Sequence, residues 1–491
     1  MGPYVFFIYT IRTIRNTLYH IGWWETKEYR FDRMKIHLFE TVQGRRWLFG
    51  PLSLFKWVLI LLYSFHFPEY LNSVVFALYT FEAIKNLFEI RHDKRPSGLR
   101  PKVIVLVLGS LLFELLLVLL LSFDYPLGLA FLIGDKLLPF AITLQVIVLN
   151  SFFTYYKRDK MVAAREKFAE SKITVIGVTG SYGKTTTKEF IYQILKSQHT
   201  VFKTEKSQNS DIGIAEVILR TDLSNYNYFV CEMAAYHPGE IASSTSIISG
   251  HIKTVVITGI NEQHQSLFGS LETTKKSKYE LVKSLDKKGA VIVNTESTGS
   301  KEMGDWAKKD GHMVTYVRRK DFLKSFPKGT APHFKMNATL AAHAAESVGM
   351  KKIDVEKAVS TLALPEKTMQ EEKKGKVTYI DDTFNANPDA VYTALDYIKR
   401  KRGTKILVLQ PLIELGSYAD SVHEKIGQMV AGICDHIILT NINWNKSFLR
   451  GVHRSKNKKV TVQVAGSLPK IDSGVILFEG KEAEKWIKKG N

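Results

Sequence analysis

The sequence predicts an α-helical transmembrane segment followed by an α/β region built on parallel sheets, and three observations predict it. Long apolar runs lie before residue 155, strand and helix patterns alternate after about residue 173, and a short basic stretch joins the halves. A mean hydropathy of −0.07 would suit an ordinary soluble chain, so the average conceals the partition. At 491 residues the chain has room for about three domains. Their expected bounds are 1–156 (membrane domain), 157–172 (basic linker), 173–361 (central α/β domain) and 362–491 (C-terminal domain).

The membrane elements follow in order. Val103 to Phe123 holds a single ionisable residue, Glu114, and as a helix it spans roughly 30 Å of hydrocarbon. Leu127 to Phe153 is long enough to cross despite Asp135 and Lys136. Leu52 to Phe67 and Tyr70 to Ile90 read as a helical hairpin around Pro68, giving about four spans in all. Residues 1–24 are apolar but carry Arg12 and Arg15 without a small-residue cleavage site, so a removable signal peptide is not expected. They form an interfacial helix or a further span.

Basic residues orient these spans. Lys27, Arg30, Arg33, Lys35, Arg45 and Arg46 precede the first pair, Arg91 to Lys102 separates the pairs, and Lys157 to Lys167 follows the last. The turns near Pro68 and Asp124 carry no lysine or arginine. Both ends are therefore expected in the cytoplasm, with a multi-pass protein in the inner membrane.

Composition excludes other classes. Fourteen prolines and 32 glycines rule out a collagen-like or low-complexity chain, and two cysteines, Cys231 and Cys434, cannot build a disulfide framework. The net charge of +20 suits anionic lipid headgroups beside the spans. No nucleic-acid-binding module accompanies it, so membrane lipids and not nucleic acid are the expected partner. Glu114 is either a functional group or a carboxyl facing another helix.

In the soluble region Ile173 to Val178 is a short β-rich run entering Thr179-Gly-Ser-Tyr-Gly-Lys-Thr-Thr-Thr-Lys-Glu189, with a helix following. Strand, glycine turn and helix N-terminus bring backbone N–H groups around a phosphate. Gly180, Ser181, Gly183 and Thr186 would line it, Lys184 would reach the outer phosphates, and Thr185 would place its hydroxyl on magnesium. Glu232 ends the strand-like run Tyr228 to Cys231, where ligands of open α/β sheets bind, and is a candidate magnesium ligand. Asp381 and Asp382 end another such run, open to acid–base work, metal binding or ribose contact.

The element Gly177-Val-Thr-Gly-Ser-Tyr-Gly-Lys-Thr-Thr-Thr-Lys-Glu189 departs from the usual P-loop spacing and resembles the ATP-binding signature of the Mur ligases, the amide-forming ligases of peptidoglycan assembly. Five further segments resemble the same family in order: Ser207 to Gly213, Cys231 to Ile241, Ile260 to Glu280, Pro332 to Ala342, and Asp381 to Ala390 followed by Ile413-Glu414-Leu415-Gly416 and His423. The resemblance covers residue 171 onward. It implies a P-loop central domain with a parallel sheet and a smaller Rossmann-like C-terminal domain.

The activity it implies is ATP-dependent peptide-bond formation through an acyl phosphate, in which D-alanyl-D-alanine is added to a muramoyl peptide. The partners are then a cell-wall peptide precursor and an amino acid or dipeptide amine. The cofactors are ATP and Mg2+, and the carboxylated (carbamylated) side chain expected at Lys278 would bridge magnesium. The resemblance also makes His264 a magnesium ligand and Asn337 an adenine contact, although an amide capping a neighbouring turn fits Asn337 as well. Asp381 and Asn385 would touch the nucleotide, and Asn387, Glu414 and His423 the substrate. Asn385 and Asn387 before Pro388 serve equally as turn formers.

Departures accompany the resemblance. The family's soluble N-terminal UDP-sugar domain has no counterpart here. Lys367-Thr368-Met369, Gln410-Pro411 and Glu479-Gly480-Lys481 stand where family motifs differ. These leave two rivals: a ligase of the same type acting on another amine or a lipid-linked acceptor, and a nucleotide-binding membrane scaffold that recruits other cell-wall enzymes.

Overall fold

The computed structural model describes all residues except 1, 28, 66–67, 89–95, 97, 99, 206–207, 236, 261–269, 287–288, 327–331, 385, 414, 416–417, 456–459 and 488–491. It divides into two units, Met1–Tyr156 and Lys157–Asn491.

The first unit is helical: α1 (Gly2–Thr26), α2 (Phe31–Glu40), α3 (Val42–Phe49), α4 (Pro51–Leu62), α5 (Pro68–Phe88), α6 (Pro101–Asp124) and α7 (Leu127–Ala169), which continues past the unit's end. Proline opens α4, α5 and α6, where its missing N–H costs nothing. Three described stretches are long and apolar enough to cross a membrane: Gly44–Phe65, Pro101–Asp124 and Leu127–Ala169. The expected count is about four, and the remaining expected span is not among these three described stretches. The second arm of the expected hairpin does form a helix, α5, but Glu82 and Lys85 interrupt its apolar surface.

Burial in this unit is reconciled with charge by pairing. Arg12 of α1 bonds Glu82 of α5 and Asp135 of α7, the latter at 2.6 Å. Lys56 of α4 reaches the same two carboxylates at 2.6 and 2.9 Å. Two cations against two anions meet the requirement that buried charges be compensated. Glu114 is buried and accepts a hydrogen bond from Tyr9 of α1, so this carboxyl faces another helix.

The second unit holds two six-stranded sheets. The first comprises β1 (Thr174–Thr179), β2 (Val201–Lys203), β3 (Tyr228–Glu232), β4 (Ile252–Ile257), β5 (Ala290–Asn294) and β6 (Met313–Val317), all parallel in the order β2-β3-β1-β4-β5-β6. From β1 the chain turns toward β2 and from β4 toward β5. The ends of β1 and β4 thus flank a topological switch point, where such sheets bind ligands. The second sheet comprises β7 (Gln370–Lys374), β8 (Val377–Asp382), β9 (Thr404–Leu409), β10 (His436–Leu439), β11 (Thr461–Val464) and β12 (Gly474–Glu479). Its order is β11-β10-β9-β12-β8-β7, parallel except for the antiparallel edge β7. The wholly buried run Val475 to Phe478 of β12 suits a strand covered on both faces. N-terminal apolar helices followed by parallel-sheet α/β domains is the fold class expected from the sequence.

Candidate nucleotide and metal site

The loop Gly180–Gly183 runs from β1 into α8 (Lys184–Lys196) at the switch point. Ser181 N–H donates to Gly259 O at 2.6 Å and Thr258 N–H to Thr179 O at 3.0 Å, which ties the loop to the end of β4. Glycine is required twice. Gly183 caps α8 at φ +75°, and a Cβ on Gly180 would lie 2.1 Å from Thr258 Oγ1. The first backbone N–H groups of α8 have no partner within the helix, and together with its dipole they form an anion-binding end.

Lys184 folds back over this loop, donating from Nζ to Gly180 O at 2.8 Å and to Ser181 O at 3.2 Å. Burial of its ammonium pulls its pKa below the usual lysine range, against the opposing pull of Glu232. Thr185, the next residue, donates from Oγ1 to Glu232 Oε2 at 3.0 Å. Glu232, at the end of β3, is only 2% exposed and also accepts from Asn209 Nδ2 at 3.2 Å. Thr186 follows in the first turn of α8.

These donors suit magnesium. Among the described residues no group of three or more His, Cys, Asp or Glu could hold a metal by itself. A carboxylate beside a hydroxyl at a phosphate loop is the sparse oxygen set used by Mg2+, which keeps waters and substrate phosphates as its other ligands. His264 lies outside the described residues, so the second expected metal contact has no geometry here.

Lys278 sits in the helix Leu271–Lys283, opened by Ser270 accepting from Thr273 N–H. Despite its lysine-rich helix Lys278 is not on a solvated face: it is 1% exposed. Burial, then the charge of Lys184, lowers its pKa well below the usual value. Asn337 is buried in the helix Pro332–Ser347, and its Oδ1 would be 2.8 Å from a Cβ on Gly183. That close approach puts it against the phosphate loop. His333, one turn earlier, is taken down to about 4 by burial and is neutral at pH 7.

In the second sheet Asp381 Oδ1 accepts from the Thr383 N–H at 3.0 Å and its hydroxyl at 2.6 Å. Asn387 caps the helix Pro388–Lys399, accepting from Ala390 N–H at 3.1 Å. His423 is 1% exposed and stacks on Trp444. Its Nε2 accepts from Leu412 N–H at 3.0 Å and its Nδ1 faces Ala419 O at 2.6 Å, so both nitrogens are engaged by backbone groups. Burial takes its pKa down to about 4. Asn385 and Glu414 lie outside the described residues.

Three residues absent from the expected set stand beside its carboxylates, two at the first sheet and one at the second. Asn209 lies in the motif Ser207–Gly213, which was the available signal. Lys188 approaches Glu232 from α8 at 3.5 Å. Glu479 ends β12 directly beside Asp382 of β8. Burial raises Asp382 to about 7, and burial together with Asp382 raises Glu479 well above the carboxylate range.

Residues 178–350 match the Mur ligase middle domain. The UDP-N-acetylmuramoyl-tripeptide–D-alanyl-D-alanine ligase of Haemophilus influenzae is 29% identical over 307 residues, covering 56% of this chain and 65% of that enzyme. The match thus spans less than two thirds of that relative's length. Crystal structure I of MurF from Acinetobacter baumannii shares the fold with a TM-score of 0.58 at 24% identity, over 67% of this chain and 78% of that one. MurF of Thermotoga maritima in complex with ADP gives 0.57 at 21% identity, over 68% and 85%.

Proposed function

We propose that this chain, similar to the Mur ligase middle domain over residues 178–350 and 29% identical to the Haemophilus enzyme, is a membrane-anchored ATP- and magnesium-dependent ligase adding D-alanyl-D-alanine to a muramoyl peptide. The observation that carries this is the phosphate loop at the switch point, with Lys184 on its carbonyls and the hydroxyl of Thr185 on Glu232. The activity for which the Haemophilus relative is named supports the choice of substrates.

In this reading backbone groups of Gly180, Ser181, Gly183 and Thr186 hold the ATP phosphates. Lys184 leaves the loop carbonyls for the transferring phosphoryl group, orienting it toward the substrate carboxylate. Thr185, Glu232 and His264 hold magnesium, which when bound screens charge on that group. The buried amine of Lys278 carries the carboxylated form. Asn337, Asp381 and Asn385 hold the nucleoside, while Asn387, Glu414 and His423 shape the loops facing the amine. Closure of the domains 173–361 and 362–491 excludes water and aligns carboxylate, phosphate and amine. Residues 1–156 anchor the enzyme in the inner membrane, linked through 157–172 to catalytic domains in the cytoplasm.

The test is phosphate release from ATP by detergent-solubilised protein given UDP-muramoyl-tripeptide, with and without D-alanyl-D-alanine, and mass spectrometry of the product. Release that needs both and yields the pentapeptide is expected. ATP binding without turnover would remove the soluble substrate. The helical unit in residues 1–156 favours, as a second reading, an acceptor carried on a membrane lipid.

A further inference from the structure

Lys188 lies in α8 one turn beyond Lys184, and three residues beyond Thr185, spacings that put all three near one face of the helix. Its side chain is 0% exposed. A lysine so placed has lost the hydration of its ammonium, and an apolar residue would fill the same position at less cost. Yet Nζ makes no hydrogen bond among the described residues. Its contacts are ionic: Glu232 Oε2 at 3.5 Å and Glu189 Oε1 at 3.4 Å. Glu189 is bonded in turn by Lys203 of β2, so its charge is already shared.

The carboxylate of Glu232 is therefore approached by three groups: the Thr185 hydroxyl and the Lys188 ammonium at Oε2, and the Asn209 amide at Oε1. Of these three only Lys188 brings a full charge, the ammonium of Lys184 acting on Glu232 from further away.

We propose that Lys188 is a positioning residue that supplies the counter-charge to Glu232 when no divalent cation is bound, and so sets the affinity of the site for that cation. The proposal rests on the reading of Glu232 as a magnesium ligand. A fixed positive charge beside a ligand oxygen competes with the incoming dication for that oxygen and repels it. Removing the charge while keeping the shape should tighten cation binding, whereas damage to the packing would weaken it. The two roles thus differ in sign.

The experiment is Mn2+ binding to the full-length protein in detergent with saturating ADP, followed by the electron paramagnetic resonance of free Mn2+. Lys188→Met is expected to bind Mn2+ about tenfold more tightly, and Lys188→Arg within twofold of wild type. Glu189→Gln, which leaves Lys188 more fully to Glu232, is expected to bind several-fold more weakly. Unchanged or weaker binding by Lys188→Met overturns the proposal. Should that variant fail to fold, Glu189→Gln decides, since equal or tighter binding there overturns it too. Glu232→Gln separates the underlying reading: if it binds Mn2+ as wild type does, Glu232 is no ligand and both readings fall.

Discussion

Thr185 donates its hydroxyl hydrogen to Glu232 at 3.0 Å, joining the start of α8 to the end of β3 across 47 residues of sequence. The pair carries the switch-point geometry into chemistry, because the residue before Thr185 is the lysine that reaches the phosphate loop. In Lys184→Ala the loop and helix remain while the mobile positive charge is lost. ATP-dependent product formation should fall by roughly 10²–10³-fold, the scale for removing one charge-stabilising group. The melting temperature should stay within a few degrees. Full activity in this variant would take Lys184 out of the mechanism.

Lys278 is expected to exchange its proton for carbon dioxide. Burial and the neighbouring charge of Lys184 favour its neutral amine, the form that attacks CO2 to give a carbamate and a released proton. Since its pKa is lowered, neutral amine persists at lower pH than for a free lysine and is lost on further acidification. Protein equilibrated with 13C-bicarbonate should show one protected carbamate resonance at pH 8 that fades as the pH is lowered. Lys278→Arg should lack it, and a wild-type spectrum without such a resonance would refute the assignment.

Asp382 and Glu479 stand side by side at the ends of paired strands and are both buried. Asp382 is raised from 3.8 to about 7, so the folded state binds a proton that the unfolded chain releases near pH 4. Stability from this group is thus greatest below about pH 4 and declines as the pH rises through about 7. Glu479→Gln replaces the carboxyl that burial, and then Asp382, raise well above its usual range, and so removes the cost of keeping that group protonated as the pH rises. It should flatten that decline and stabilise the protein at pH 8 by about 1–3 kcal/mol. Thermal unfolding at pH 5 and pH 8 measures it, and an equal loss of stability at both values would count against the pair.

Much of this was legible in sequence because it is local. A β-rich run, a glycine turn and a helix announce the phosphate loop within twenty residues, and the runs ending at Glu232 and Asp382 place carboxylates at strand ends. What escaped depends on topology. Asn209 meets Glu232 only because β3 lies between β2 and β1. Lys188 looks like one more polar position of an amphipathic helix until the sheet covers it. Glu479 closes an apolar run and gains significance only from its register with Asp382. The charged segment Gln370–Lys374 lacks the alternation of a half-buried strand, yet it pairs with β8 as an exposed edge, where charge deters further pairing. In the helical unit the apolar lengths were plain. The partners of Arg12 and Asp135 were not, since each comes from a different helix.

Lys367 adopts φ +55°, a left-handed conformation that a side chain disfavours by about 1–2 kcal/mol. The structure holds it there from both sides: its carbonyl accepts from Phe384 N–H at 3.0 Å, its N–H donates to Gln370 Oε1 at 3.1 Å, and its ammonium pairs with Glu484 at 3.0 Å. The ion pair is partly exposed and contributes little, so the backbone decides the outcome. Glycine enters this region freely, although its unfolded chain has more entropy to lose. Lys367→Gly should therefore be more stable than Lys367→Ala by about 0.5–1 kcal/mol, despite alanine's lower chain entropy. Denaturant unfolding of the two variants side by side checks this. Alanine the more stable of the two would mean that residue 367 leaves the left-handed region without cost.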